Sequence, residues 1–166
     1  MENAARLVRE TNAAPRVELR QADGLTGFSR EDGDTVIIAG MGGETMAAIL
    51  SAAAWLHDGV QLILEPQTKQ ADLRRWLAEN GFVITSERLV RDAERIYPIL
   101  TAESGPSPEY TDAEYLTGRM ELIAEDPLLQ DYLSILRKRV SSAAPFDPQA
   151  KALLSDLDTM EKELFP

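Results

Sequence analysis

The sequence predicts an α/β fold that ends in a helical hairpin, and three observations predict it. The apolar run Val36-Ile37-Ile38-Ala39 stops in the glycine-rich bend Gly40-Met41-Gly42-Gly43, and a helical pattern follows at once. That is the order of a buried parallel strand feeding a helix. A second strand-then-helix pattern runs from Gln61 to Asn80. After Ser104-Gly105-Pro106-Ser107-Pro108 the pattern turns wholly helical, with apolar residues at three- and four-residue spacing.

Taken in order, Glu2 to Asn12 is predicted helical, with Pro15 closing it. Val17 to Gln21 alternates and predicts a short strand, followed by the loop Ala22-Asp23-Gly24-Leu25. Arg30 to Asp34 is a turn cluster, Val36–Ala39 a strand, and Glu44 to Ala54 a helix broken off by Asp58-Gly59. Gln61 to Glu65 is a strand that Pro66 should stop. Lys69 to Asn80 is an amphipathic helix carrying Leu73, Trp76 and Leu77, and Asn80-Gly81 supplies its end. Phe82–Thr85 with Glu87–Val90, and Ile96–Thr101 after a polar connection, predict two strands paired antiparallel. Beyond the linker, Asp112 to Ala124 reads as one helix, and Pro127 opens another that runs to about Ser142. Gln149 to Leu164 forms the last helix, after the turn bracketed by Pro145 and Pro148. The stripes Leu129, Tyr132, Leu133, Leu136, Val140 and Leu153, Leu154, Leu157, Met160, Leu164 suggest an antiparallel pair. The expected division is an α/β domain over 1–104 and a helical, coiled-coil-like appendage over 105–166.

Composition narrows the chemistry. The 166 residues contain no cysteine and one histidine, His57, so disulfides, thiolate zinc sites, cysteine nucleophiles and a histidine-rich metal site are excluded. No apolar run approaches the roughly 20 residues that span a bilayer. The first residues lack the order of a signal peptide, so a cytoplasmic protein without membrane or metal partners is expected. Net charge is -11, which repels nucleic acid unless basic patches stand out locally. Arg74-Arg75 and Arg137-Lys138-Arg139 are the two candidate patches, each also readable as a solvated helix face.

Several groups could carry a site at the carboxyl edge of such a sheet. The Gly40–Gly43 bend reads either as a tight packing turn or as a pocket wall of backbone amides with the soft side chain of Met41. Asp23-Gly24 reads as a turn, or as a carboxylate able to accept from a nucleobase amino group. Glu65-Pro66 ends a buried strand, and Asp92, Glu94 and Tyr97 gather polar groups near the last strands. Trp55 and Trp76 read as packing residues and His57 as a surface residue. No Ser-His-Asp set exists around the lone histidine, so the chemistry rests on positioning and electrostatics, and no catalytic residue is assigned.

At Ile38-Ala39-Gly40-Met41-Gly42-Gly43 the sequence resembles the TrmK-type bacterial tRNA methyltransferases, which methylate N1 of adenine 22 in tRNA. Asp23-Gly24-Leu25, Leu62-Ile63-Leu64-Glu65-Pro66, Leu73-Arg74 with Trp76-Leu77, Asn80-Gly81-Phe82, and Ile96-Tyr97-Pro98-Ile99 extend the resemblance in order over nearly the whole chain. The family more often has Gln-Pro where Glu65-Pro66 stands. The resemblance implies a Rossmann-like class I methyltransferase sheet that uses S-adenosyl-L-methionine. Asp23, Gly24, Ala39, Gly40 and Met41 would then face the cofactor, and Gly42, Gly43, Glu65, Pro66 and Tyr97 the target adenine. Arg74, Arg75, Arg137, Lys138 and Arg139 would hold tRNA.

The family opens with a strand carrying an Asp-Ile-Gly-Ser-Asp-His-like motif, and nothing in this chain matches it. The expectation is an N-terminally incomplete sheet, an open edge on Val36–Ala39, and weak or absent cofactor binding with impaired activity. That edge, or the helical hairpin, offers a route to a homo-oligomer. A non-catalytic RNA- or protein-binding role and a small-molecule methyltransferase are the alternatives.

Overall fold

The computed structural model describes residues 2–165. Helix α1 (Glu2–Glu10) leads through irregular chain to strand β1 (Thr35–Gly42), helix α2 (Gly43–Ser51), strand β2 (Gln61–Thr68) and helix α3 (Gln70–Glu79). Strands β3 (Phe82–Asp92) and β4 (Arg95–Ser104) follow, then helices α4 (Asp112–Thr117), α5 (Met120–Ile123), α6 (Leu129–Ala143) and α7 (Pro148–Leu164). The sheet has four strands in the order β1-β2-β4-β3. β1 and β2 are parallel, while β4 enters between β2 and β3 antiparallel to both. The fold class agrees with the sequence: strand–helix–strand–helix units build the parallel pair, and a hairpin adds the antiparallel end.

Two apolar cores result. In the first, Ile38, Leu62, Leu64, Leu100 and Ala102 of the sheet meet Met46 and Leu50 of α2 and Leu73 and Leu77 of α3. In the second, Leu89 and Ile96, near the tip of the β3–β4 hairpin, meet Ile123 of α5 and Leu129, Leu133 and Leu136 of α6, with Leu157 of α7. The predicted α6–α7 pair forms, and Arg137 of α6 bonds Asp158 of α7 across it.

Three expectations are corrected. Val17 to Gln21 is not a strand. An isolated extended segment gains nothing without a neighbour to bond, and none of the described strands takes it as a partner; Arg20 instead pairs with Glu18 and Asp32. The helix expected over Asp112–Ala124 is broken at Gly118, whose φ of +94 turns the chain. A Cβ there would lie 2.6 Å from Glu87 Oε2, so the carboxylate occupies the space a continuous helix would need. Pro66 does not stop its strand: β2 runs on to Thr68, with Pro66 opposite Met41 at an irregular point in the ladder.

Among the described residues β1 pairs on one side only, and Ile37 and Met41 are exposed by 69% and 42%. A paired-on-one-side strand with an exposed isoleucine is a template for another strand. Ile37→Lys is therefore expected to suppress concentration-dependent association, read by light scattering, with Tm changed by no more than a few degrees. Unchanged association would place the contact elsewhere.

Candidate functional site at the carboxyl edge of the sheet

The glycines of the bend do different jobs. Gly40 has φ +78, and a Cβ built on it would meet nothing within 4 Å, so this backbone faces open space. Its amide donates to Glu65 Oε2 at 2.8 Å, tying the bend of β1 to the neighbouring β2. Gly42 lies against Thr68, its register partner, with a would-be Cβ 3.0 Å from Oγ1. Gly43 is buried, and a Cβ there would fall 2.2 Å from the carbonyl oxygen of Lys69. The sequence placed Gly43 in a substrate pocket; its smallness serves the close approach of α2 to the start of α3.

Two further features mark this edge. The second oxygen of Glu65, Oε1, is buried and has no hydrogen-bond partner among the described residues. An orphaned carboxylate oxygen is costly unless something donates to it. Lys69 adopts φ +56, a strained value for a side-chain-bearing residue. Its ammonium bonds Asp72 and reaches Glu44, and these contacts, the Asp72 hydrogen bond first, hold its pKa above the ordinary lysine value.

Beyond the bend, a cavity of about 420 Å³ lies between the end of β2, the start of β4 and helix α6. Tyr97 lines it together with Gln67, Thr68, Arg95 and Arg139. The continuation of β2 past Pro66 is what brings Gln67 and Thr68 there, so a strand ended at Pro66 hides them.

The structure brings only some of the predicted site residues together. Ala39, Gly40, Met41, Glu65 and Pro66 are contiguous across the β1–β2 ladder. Gly24 packs over Ile49, six residues along α2 from Gly43, or ~9 Å down the helix axis. Of the basic residues, Lys138 and Arg139 are exposed. Arg137 is engaged by Asp158 and Glu161, and Arg75 lies over the Tyr115 ring while bonding Asp112.

Arg74 is a correction. Its side chain is fully buried and bonds Glu87 twice, Nε to Oε1 at 3.2 Å and Nη2 to Oε2 at 2.8 Å. Its Nη1 donates to the carbonyls of Tyr115 and Leu116 in α4, at 3.0 and 3.1 Å. Burial opposes the charge, but the Glu87 carboxylate prevails and holds the guanidinium pKa above its usual value, with the Tyr132 hydroxyl of α6 adding to the effect. The same surroundings push the Tyr110 hydroxyl up to about 12, by burial first and by Glu87 second. Arg74 cannot touch RNA without unfolding this cluster. Its place beside Leu73 and one turn before Leu77, inside the apolar arc of α3, is the signal that separates it from Arg75.

The family model described as TrmK, tRNA (adenine(22)-N(1))-methyltransferase, matches residues 1–159. The chain belongs to this family. Among curated relatives, it is 30% identical over 119 residues to the tRNA (adenine(22)-N(1))-methyltransferase of Bacillus subtilis, covering 71% of this chain and 50% of that protein. The chain thus spans about half the length of the curated relatives it matches. Among solved structures of the TrmK family, the B. subtilis M1A22 tRNA methyltransferase TrmK superposes with TM-score 0.73 at 25% identity, covering 98% of this chain and 76% of that one. A Streptococcus agalactiae protein of the NADB-Rossmann superfamily superposes with TM-score 0.78 at 28% identity, covering 99% and 75%. The M. capricolum TrmK, at 17% identity and TM-score 0.73 over 97% of this chain and 74% of that one, was solved with S-adenosyl-homocysteine and shares the fold.

Proposed function

We propose that this chain takes part in S-adenosyl-L-methionine-dependent methylation of N1 of an adenine in tRNA, with the Gly40–Gly42 bend and Glu65 at the site. The reading rests on family membership and on one observation, the buried and unpartnered Glu65 Oε1 beside an open glycine backbone. When bound, S-adenosyl-L-methionine supplies an electrophilic methyl group on a sulfonium centre. Ala39, Gly40 and Met41 are the residues that would hold it; Gly40 presents no side chain and Met41 an exposed thioether.

Attack by a ring nitrogen lone pair needs little proton transfer, so placement at near-attack distance carries much of the rate. The reaction leaves a positive charge on the methylated adenine. Glu65 keeps one oxygen on the Gly40 amide, which fixes the carboxylate, and one oxygen free to face an amino group or that developing charge. The exposed cations Lys138 and Arg139 supply RNA contacts against the acidic remainder of the surface. The site of action is the cytoplasm; among the described residues no helix is long and apolar enough to cross a membrane.

Transfer of tritium from methyl-labelled S-adenosyl-L-methionine to unmodified tRNA, with the label recovered as N1-methyladenosine, tests the reading. Glu65→Gln is expected to lower the transfer rate about tenfold, equivalent to ~1.4 kcal/mol of transition-state stabilisation. tRNA binding without label transfer would overturn catalysis in favour of an RNA-binding role. Label in small molecules but not in tRNA would move the substrate class.

A further inference from the structure

We propose that the cavity between β2, β4 and α6 is a binding site for one nucleoside 5′-monophosphate unit, its phosphate held by Arg95 and Arg139 and its base lying against Tyr97. The inference deepens the RNA reading and depends on it only for the source of the nucleotide. Acids outnumber bases 28 to 17 in this chain, yet Arg95 and Arg139 are among the arginines that form no ion pair among the described residues, and these two line the same cavity. Among the described residues the only side-chain partner of Arg95 is the Tyr97 hydroxyl at 3.4 Å. That contact leaves the remaining guanidinium donors of Arg95 free to bond two oxygens of a phosphate.

The rest of the lining suits a base. Tyr97 is half-buried, so its ring is held while a face remains available, and stacking on such a ring tolerates any base. Gln70 Nε2 donates to the Pro66 carbonyl at 3.1 Å, which orients the amide and leaves its oxygen free to accept from an exocyclic amino group. Gln67 adds a second, exposed amide on the same wall. Glu94 is the only carboxylate of the lining. One carboxylate against two guanidiniums leaves a net positive site that favours an anion and disfavours a metal ion.

Titration of the isotopically labelled chain with adenosine 5′-monophosphate, followed by amide chemical shifts, tests the site. Shifts centred on Thr68, Tyr97 and Arg139 are expected, with affinity weakened at least tenfold in Arg139→Gln and in Arg95→Gln and unchanged in the distant Arg16→Gln. Adenosine alone and inorganic phosphate alone should each bind at least tenfold more weakly than the monophosphate. A single-stranded RNA tetranucleotide that binds the same residues more tightly assigns the nucleotide to an RNA chain; equal affinity assigns it to a free nucleotide. Shifts confined to another region, or an Arg139→Gln variant with unaltered affinity, would overturn the proposal. Methyl transfer without monophosphate binding sinks this site alone, and monophosphate binding without methyl transfer sinks only the catalytic reading.

Discussion

Replacing Arg74 by leucine is expected to cost about 3–5 kcal/mol, because it leaves the Glu87 charge buried without a counter-ion. The carbonyls of Tyr115 and Leu116 lose their donor in the same step. At about 2–4 °C per kcal/mol for a chain of this size, Tm should fall by roughly 10 °C, measured by circular dichroism or by urea unfolding. The double variant Arg74→Leu with Glu87→Leu removes both charges and should recover most of that loss, since paired apolar groups can replace a buried ion pair at little cost. A single variant that melts within about 1 °C of the parent would show that the pair contributes nothing to the joint between α3, β3 and α4.

Gly43→Ala is the second large effect. The added methyl would sit 2.2 Å from a backbone oxygen, that of Lys69, which cannot swing away as a flexible side chain would. Either α2 or the start of α3 must move, and overpacking of this kind costs about 1–3 kcal/mol or more. Gly40→Ala provides the contrast. No atom lies within 4 Å of its Cβ position, so its cost is confined to the positive φ, about 1 kcal/mol. Thermal unfolding should therefore rank Gly43→Ala well below Gly40→Ala, and the reverse order would mean that the bend is held open by Gly40 instead. Under the proposed function, Gly43→Ala should impair methyl transfer only in proportion to lost folded protein, whereas Gly40→Ala should impair it in protein that remains folded.

Where the chain announces itself by periodicity, the structure follows it. The Lys69–Asn80 helix, the β3–β4 pair and the two leucine-rich helices are legible because each buries one face with a characteristic spacing, and Val36–Ala39 because a short apolar run meets a glycine bend, although only Ile38 of that run is buried. Val17–Gln21 has the alternation of a strand but not a neighbour, and a strand is defined by what it pairs with. The break at Gly118 depends on a carboxylate from a strand 31 positions earlier in the sequence, which no local pattern records. The candidate site was legible as a bend and an edge. Its finer content, the orphaned Glu65 oxygen and the cavity shared by Arg95, Tyr97 and Arg139, depends on the strand continuing past Pro66 and on α6 lying across its end.

Leu122 borders both cores, and strands β3 and β4 contribute residues to each. Apolar contact alone resists separation but permits sliding, because dispersion has no preferred direction. Arg74 supplies what the cores lack: bonds to β3 and to α4 from one planar group, each with its own required angle. With Arg91 bonding Asp131 of α6 and the Leu89 amide bonding Asp126, the angle between sheet and helices is set by directed bonds as well as by the fill of a core. Arg95 belongs to the sheet and Arg139 to α6, so the spacing of these two groups follows from that joint, in which the buried Arg74 takes part. Loosening it would detune the cleft before the chain unfolds.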